Sequence, residues 1–208
     1  MHIIWDWNGT LLSDVELAVS VFNRVLPRFG LPPVTVEAYR ERFTFPVREA
    51  YRHFGVTDRM FPEVAESWSV MYEQEVARCP LRSDALAVVS AIDLEGHTQG
   101  ILSAARTDHL HRQVAAHPAL AVHFRHMTGT DTFLGEGKLH LGRQYLAEGG
   151  YDPAEVLLVG DTSHDAEVAR GMGVRCALVA GGHQSRRVMA EAGVPIFDSL
   201  TMWLKEWL

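Results

Sequence analysis

The first eleven residues, Met-His-Ile-Ile-Trp-Asp-Trp-Asn-Gly-Thr-Leu, constrain the chain most. The run His2 to Trp5 reads as a short buried strand, and Asp6 falls where that strand gives way to a turn containing Gly9. A carboxylate at the carboxyl end of a first strand, then a glycine that lets backbone approach closely and the hydroxyl of Thr10, is a layout for handling an anion at the edge of a parallel sheet. Ser13 is expected to cap the following helix, with Glu16 as its capping-box partner.

The pattern of acid after strand returns late in the chain. Leu157-Leu158-Val159-Gly160 is an apolar run that ends at Asp161, and Asp165 follows four residues on, in a turn leading into a helix. Carboxylates gathered from two strand ends repel one another, so a shared hard cation such as Mg²⁺ is the natural neutraliser.

Between these two points apolar residues recur at helical spacing. Asp14 to Phe29, Val36 to Phe43, Val47 to Phe54 and Met60 to Val76 read as four helices separated by Gly and Pro breaks, with no strand pattern among them. Strands are expected at Thr98 to Leu102, Phe124 to Met127, Val156 to Val159 and Val174 to Val179, with helices capped or opened by Ser83, Thr107 and Lys138, then Asp165 to Met172, one near Arg186 to Ala192 and one from Ser199. Strands alternating with helices imply an α/β fold with a doubly wound, Rossmann-like parallel sheet. The expected division is a core of residues 1–14 and 82–208 with a helical insertion, residues 15–81, after the first strand.

Composition narrows the function classes. At 208 residues, 47% apolar and 22% charged, the chain is an ordinary globular protein able to bury its own core. A net charge of −7 opposes binding to a phosphate backbone, so no nucleic-acid partner is expected. No stretch long and apolar enough for a membrane span occurs, nor a leader pattern, so no membrane partner is expected and the cytoplasm is the expected location. Cys79 and Cys176 lack ligand or disulfide spacing and read as reduced thiols. Of the 19 basic residues, all but Lys138 and Lys205 are Arg, so Lys138 stands out as a compact ammonium suited to a point contact with phosphate or carboxylate.

The stretch Asp6-Trp7-Asn8-Gly9-Thr10-Leu11-Leu12 resembles the first motif of the haloacid dehalogenase superfamily, D-x-D-G-T followed by an apolar pair, with Asn8 standing where the pattern has a second Asp. Gly160-Asp161 with Asp165 resembles its fourth motif, Ser103 its second, and Lys138 in Gly135-Glu136-Gly137-Lys138 its third, while the helical insertion sits where the family carries a cap. This resemblance implies a Mg²⁺-dependent phosphatase acting on a small phosphorylated molecule. Asp6 is then the nucleophile that forms an aspartyl-phosphate; Asp6, the main-chain carbonyl of Asn8 and Asp161 hold the metal with Asp165 in support; and Thr10, Ser103 and Lys138 hold phosphoryl oxygens. The loop Phe43-Thr44-Phe45-Pro46-Val47-Arg48 looks like the substrate-facing loop of phosphoglycolate-phosphatase-like members, which makes Arg48, Arg42 and Arg106 candidates for a substrate carboxylate, beside the plainer reading as solvated surface Arg. Asn8 has no proton to cycle, and general acid–base catalysis contributes about 10²–10⁴-fold, so hydrolysis is expected to be slowed unless another group, His164 being one, supplies the proton. The alternative is a phosphate-ligand binding or regulatory protein that keeps the pocket without turnover. Oligomeric state is left open.

Overall fold

The structure is a computed structural model, and it describes residues 1–131 and 138–207. Gly135, Glu136 and Gly137 of the expected third motif lie outside the described residues. The chain runs from β1 (His2–Trp5) into four helices, α1 (Val15–Val25), α2 (Val36–Arg42), α3 (Val47–His53) and α4 (Phe61–Glu75). It continues as α5 (Ala85–Leu94), β2 (Thr98–Arg106), α6 (Thr107–Ala115), α7 (Pro118–Ala121), β3 (Phe124–Thr130) and α8 (Leu139–Gly149). It closes with β4 (Val156–Gly160), α9 (Ser163–Met172), β5 (Arg175–Val179), α10 (Arg186–Met189), β6 (Ile196–Phe197) and α11 (Leu200–Trp207).

The six strands form one sheet in the order β3-β2-β1-β4-β5-β6, every pair parallel. Parallel strands need crossover helices, and these cover both faces, so the central strands are buried on both sides and read as continuous apolar runs. Side chains alternate between the two faces. Ile3 and Trp5 join Leu157, Val159 and the residues of α5, α6 and α11 on one side, while Ile4, Leu158 and Leu178 meet Tyr145 of α8 and Ala166 and Met172 of α9 on the other. The carboxyl-terminal helix packs in this way through Trp203, fully buried with its ring centroid 5.1 Å from that of Trp5, while Met202 stays half exposed. A third apolar cluster lies among α1–α4, where Phe22, Tyr39, Tyr51, Phe54 and Phe61 pack together.

Several local expectations are corrected. Ser13 is exposed and does not cap α1; the N-cap is Asp14, whose carboxylate makes no cap bond because it turns back to the Gly9 N–H at 2.8 Å. Asp84 rather than Ser83 precedes α5, and its carboxylate accepts instead from the Thr201 N–H and hydroxyl. Thr107 is the first residue of α6, not its cap. β2 continues past Leu102 to Arg106 because β3 is itself longer than expected and pairs with it as far as Thr130. The two-residue β6 was too short to carry a periodic signal.

Candidate active site

The order in which strands are added reverses between β1 and β4, since β2 and β3 build outward from one side of β1 and β5 and β6 outward from β4. Open α/β sheets present their binding crevice at the carboxyl ends of the strands flanking such a point. Asp6 follows β1 and Asp161 follows β4, so topology alone brings them together. Asp6, Asp161 and Asp165 each offer an oxygen within 4.8 Å of the others.

Lys138 is threaded into this cluster with 2% of its side chain exposed. Its ammonium reaches Asp6 Oδ1 at 2.6 Å, Asp165 Oδ1 at 2.8 Å and the Leu102 carbonyl at 2.9 Å. Those three contacts use the donors an ammonium has. The other oxygen of Asp165 accepts from the Thr162 N–H and hydroxyl, completing a capping box that fixes the start of α9. Asp161 is fully buried and accepts from the Thr10 hydroxyl at 3.0 Å and the His183 N–H at 2.5 Å.

Burial is the largest influence on Asp6 and raises its pKa; Lys138 pulls it back, Asp165 and Asp161 push it up again, and the net direction is upward. Asp161 is likewise raised, by burial first and by Asp165 against the pull of His183. Asp165 goes the other way, because Lys138 and Thr162 outweigh its burial. Three carboxylates facing one ammonium leave an excess of two negative charges, and all the remaining donors are hard oxygens. That set fits a divalent ion such as Mg²⁺.

Beside this cluster lies a second network. Asn8 Nδ2 donates to Asp14 Oδ2 at 3.1 Å and to the Tyr72 hydroxyl at 2.8 Å, and that hydroxyl donates to Asp14 Oδ2 at 2.5 Å. His183 Nε2 stands 3.3 Å from Asp14 Oδ1, and its Nδ1 is 3.0 Å from the Tyr39 hydroxyl. Burial works against charge on His183, but Asp14, with Asp161 and Asp6 behind it, pushes the imidazole up to about 9. Asp14 is buried too, yet His183, Tyr72 and the Gly9 N–H hold it below the usual carboxylate range. Both shifts favour the charged forms, an imidazolium against a carboxylate.

Glycines make both networks possible. Gly9 has φ +74°, and a Cβ there would overlap Asp161 Oδ2; a Cβ on Gly160 would overlap Asp165, and one on Gly182 would overlap Asp161. Backbone and carboxylates meet only where no side chain intervenes.

A family described as haloacid dehalogenase-like hydrolase matches residues 3–179. The chain belongs to it. Among curated members, the phosphoglycolate phosphatase of Synechococcus elongatus is 24% identical over 197 residues, covering 91% of this chain and 88% of that one. Phosphoglycolate phosphatase 1 of Pseudomonas aeruginosa is 25% identical over 211 residues, covering 95% and 76%. A solved haloacid dehalogenase-like family protein from Streptococcus pneumoniae superposes with a TM-score of 0.86 at 16% identity, over 100% of this chain and 98% of that one.

Set against the haloacid dehalogenase pattern, the expected residues separate into two groups. Asp6, Asn8, Ser103 and Asp161 line one cavity, with Ser103 oriented by the Ala105 N–H at 3.1 Å. Lys138, Asp165 and Thr10 do not line it. Thr10, expected at phosphoryl oxygens, is spent on Asp161, because the turn at Gly9 carries it beneath that carboxylate. Lys138 likewise faces carboxylates rather than the open cavity.

Arg48 and Arg42, the candidates for a substrate carboxylate, are not among the residues that line the cavity. Arg48 of α3 lies over the Phe61 ring of α4 at 4.3 Å and 3.6 Å from Asp58, and Arg42 of α2 hydrogen-bonds the His53 carbonyl of α3 at 3.5 Å. Arg106 does line it, but forks onto Asp108 at 2.7 and 2.5 Å. His164 stacks on Phe45 outside the cavity lining, and burial lowers its pKa.

Sequence reasoning missed Asp14, Tyr72 and His183. His183 carried a usable signal, since it follows Gly181-Gly182 at the end of β5, next to the strand that bears Asp161. Tyr72 carried none, being one aromatic in the buried stripe of α4.

Proposed function

We propose that this haloacid dehalogenase-like hydrolase is a phosphatase that cleaves a small phosphomonoester through an aspartyl-phosphate on Asp6. The observation that carries the reading is the buried cluster of Asp6, Asp161, Asp165 and Lys138 at the junction of β1 and β4. Asp6 Oδ2 attacks phosphorus, the ester oxygen leaves, and water then cleaves the acyl phosphate to regenerate the carboxylate. Lys138 holds Asp6 in orientation and offsets part of its charge. Ser103 is positioned at the cavity wall to donate to a phosphoryl oxygen. Asp6, Asp161 and the Asn8 carbonyl would hold Mg²⁺, with Asp165 behind them; when bound, the ion supplies charge neutralisation for the transferring phosphoryl group. The helices α1–α4 act as a cap that closes the cavity over the carboxylates.

Asn8 is the point at which a second reading enters. Its amide nitrogen donates to Asp14 and Tyr72 and offers the leaving oxygen no acid proton, which favours slow turnover or a phosphate-binding role without turnover. The test is Mg²⁺-dependent phosphate release from a panel of phosphomonoesters by wild type and Asp6→Asn. Release by wild type that disappears in Asp6→Asn supports the phosphatase; ligand-induced melting shifts without any release move the binding role to the front.

A further inference from the structure

The cavity over Asp6 is a cleft of about 170 Å³ that runs on from the carboxylates into the helices α1–α4. Its far walls are rings. Phe22, Phe43 and Phe45 bring no polar side-chain atom, and the polar atoms of Tyr39, Trp68 and Tyr72 meet His183 Nδ1, the Ala18 carbonyl and Asp14 Oδ2; Tyr51 and Ser69 also line the wall. Most of the surface this wall can present to the space is hydrocarbon.

The charged lining is neutralised within itself. Arg106 forks onto Asp108, His109 Nδ1 lies 3.0 Å from Glu73, and His183 is paired with Asp14. Among the described residues, no cation lining the cavity is left for a second anionic group on the substrate. Two of the partners, Glu73 and Asp14, are themselves carboxylates facing the space. A substrate carboxylate here would be desolvated without a partner and repelled by both. An uncharged ring meets the reverse situation, since the ring-lined end of the cavity can take its apolar surface out of water.

We infer that the alcohol half of the substrate is uncharged and apolar, a single six-membered ring or a branched hydrocarbon of that size, and not a short carboxylate such as glycolate. This rests on the phosphatase reading above and narrows it. The curated relatives are phosphoglycolate phosphatases; this cavity lacks the free cation that a glycolate carboxylate needs.

Binding of benzyl phosphate, methyl phosphate, 2-phosphoglycolate and inorganic phosphate to Asp6→Asn, measured by calorimetry with Mg²⁺ present, separates the two levels. Benzyl phosphate is expected to bind at least about tenfold more tightly than methyl phosphate or 2-phosphoglycolate, as burial of a ring requires. Wild type should show the same order in kcat/KM. Val47→Lys, which adds a cation to the half-buried cavity wall, should weaken benzyl phosphate and strengthen 2-phosphoglycolate. If 2-phosphoglycolate matches or exceeds benzyl phosphate, the apolar assignment falls while the phosphatase reading stands. If none of the four binds and wild type turns none over, the phosphatase reading falls and this inference with it.

Discussion

Asn8→Asp is the perturbation with the most to teach. The amide donates to Asp14 Oδ2 at 3.1 Å and to the Tyr72 hydroxyl at 2.8 Å, while that hydroxyl is already donating to the same Asp14 oxygen. An ionised carboxyl at position 8 would return no donor and would face a second, buried carboxylate. The cheapest escape is to keep the new group protonated. Raising a carboxyl from its ordinary value of about 3.9 to above 7 costs about 4 kcal/mol, at 1.36 kcal/mol per pKa unit. Loss of one donor adds about 1 kcal/mol. The folded-state pKa of the new group lies above its unfolded value, so the penalty is greatest at neutral pH and fades as pH falls toward 4. Urea unfolding in chelator should place Asn8→Asp about 5 kcal/mol below wild type at pH 7, a large part of the total for a domain, and about 2–3 kcal/mol closer at pH 5. Asn8→Ser should show a smaller loss that is the same at both pH values, and Asn8→Asp combined with Asp14→Asn should recover part of the stability. Equal midpoints for Asn8→Asp and wild type at pH 7, or a penalty unchanged at pH 5, would refute the reasoning.

Three further outcomes are expected. His2, buried between Thr98 and Tyr145, has its pKa lowered to about 4, by desolvation first and by His126 next. The unfolded chain therefore binds the extra proton between pH 6.5 and 4, and the protein should lose on the order of 3 kcal/mol across that window, a slope that His2→Gln should flatten in urea titrations; parallel slopes would count against it. Lys138→Met strands Asp6 and Asp165 in the interior and should cost about 3–5 kcal/mol at pH 7 without metal, read from the unfolding midpoint. Gly160→Ala pushes a methyl into Asp165, so Mg²⁺ affinity measured by calorimetry should fall about 10–100-fold in a protein that remains folded.

The sheet was legible because both its strands and their endings announce themselves. β1, β4 and β5 are apolar runs that stop at Asp6, at Gly160-Asp161 and near Gly181-Gly182, and helical periodicity fills the gaps. What sequence could not convey was competition for side chains. Ser13 has the residue type of a cap, but α1 starts at Val15, with Asp14 before it, because that carboxylate is drawn to Gly9, Asn8 and Tyr72. Arg42 and Arg48 have the residue type of a carboxylate receptor, but in the fold they meet His53, Asp58 and Phe61. Spacing specifies which element a residue belongs to; it does not say which of several partners wins its donors.

Charge ties these details together. Four buried carboxylates, Asp6, Asp14, Asp161 and Asp165, share two cations, Lys138 and His183, each wedged against more than one of them. The residual charge of two negatives falls to Asp6 and Asp161 at the strand ends, which line the cavity beside the His183-paired Asp14. A divalent ion and a phosphoryl group are what such a site can accept. A fifth carboxylate at position 8 would raise the excess to three and place it against Asp14. The amide of Asn8 is thus matched to Asp14 and Tyr72, and the three act as one unit. Substituting Asn8 alone tests that unit before it tests catalysis, so activity in Asn8→Asp carries meaning only beside the paired Asp14→Asn change.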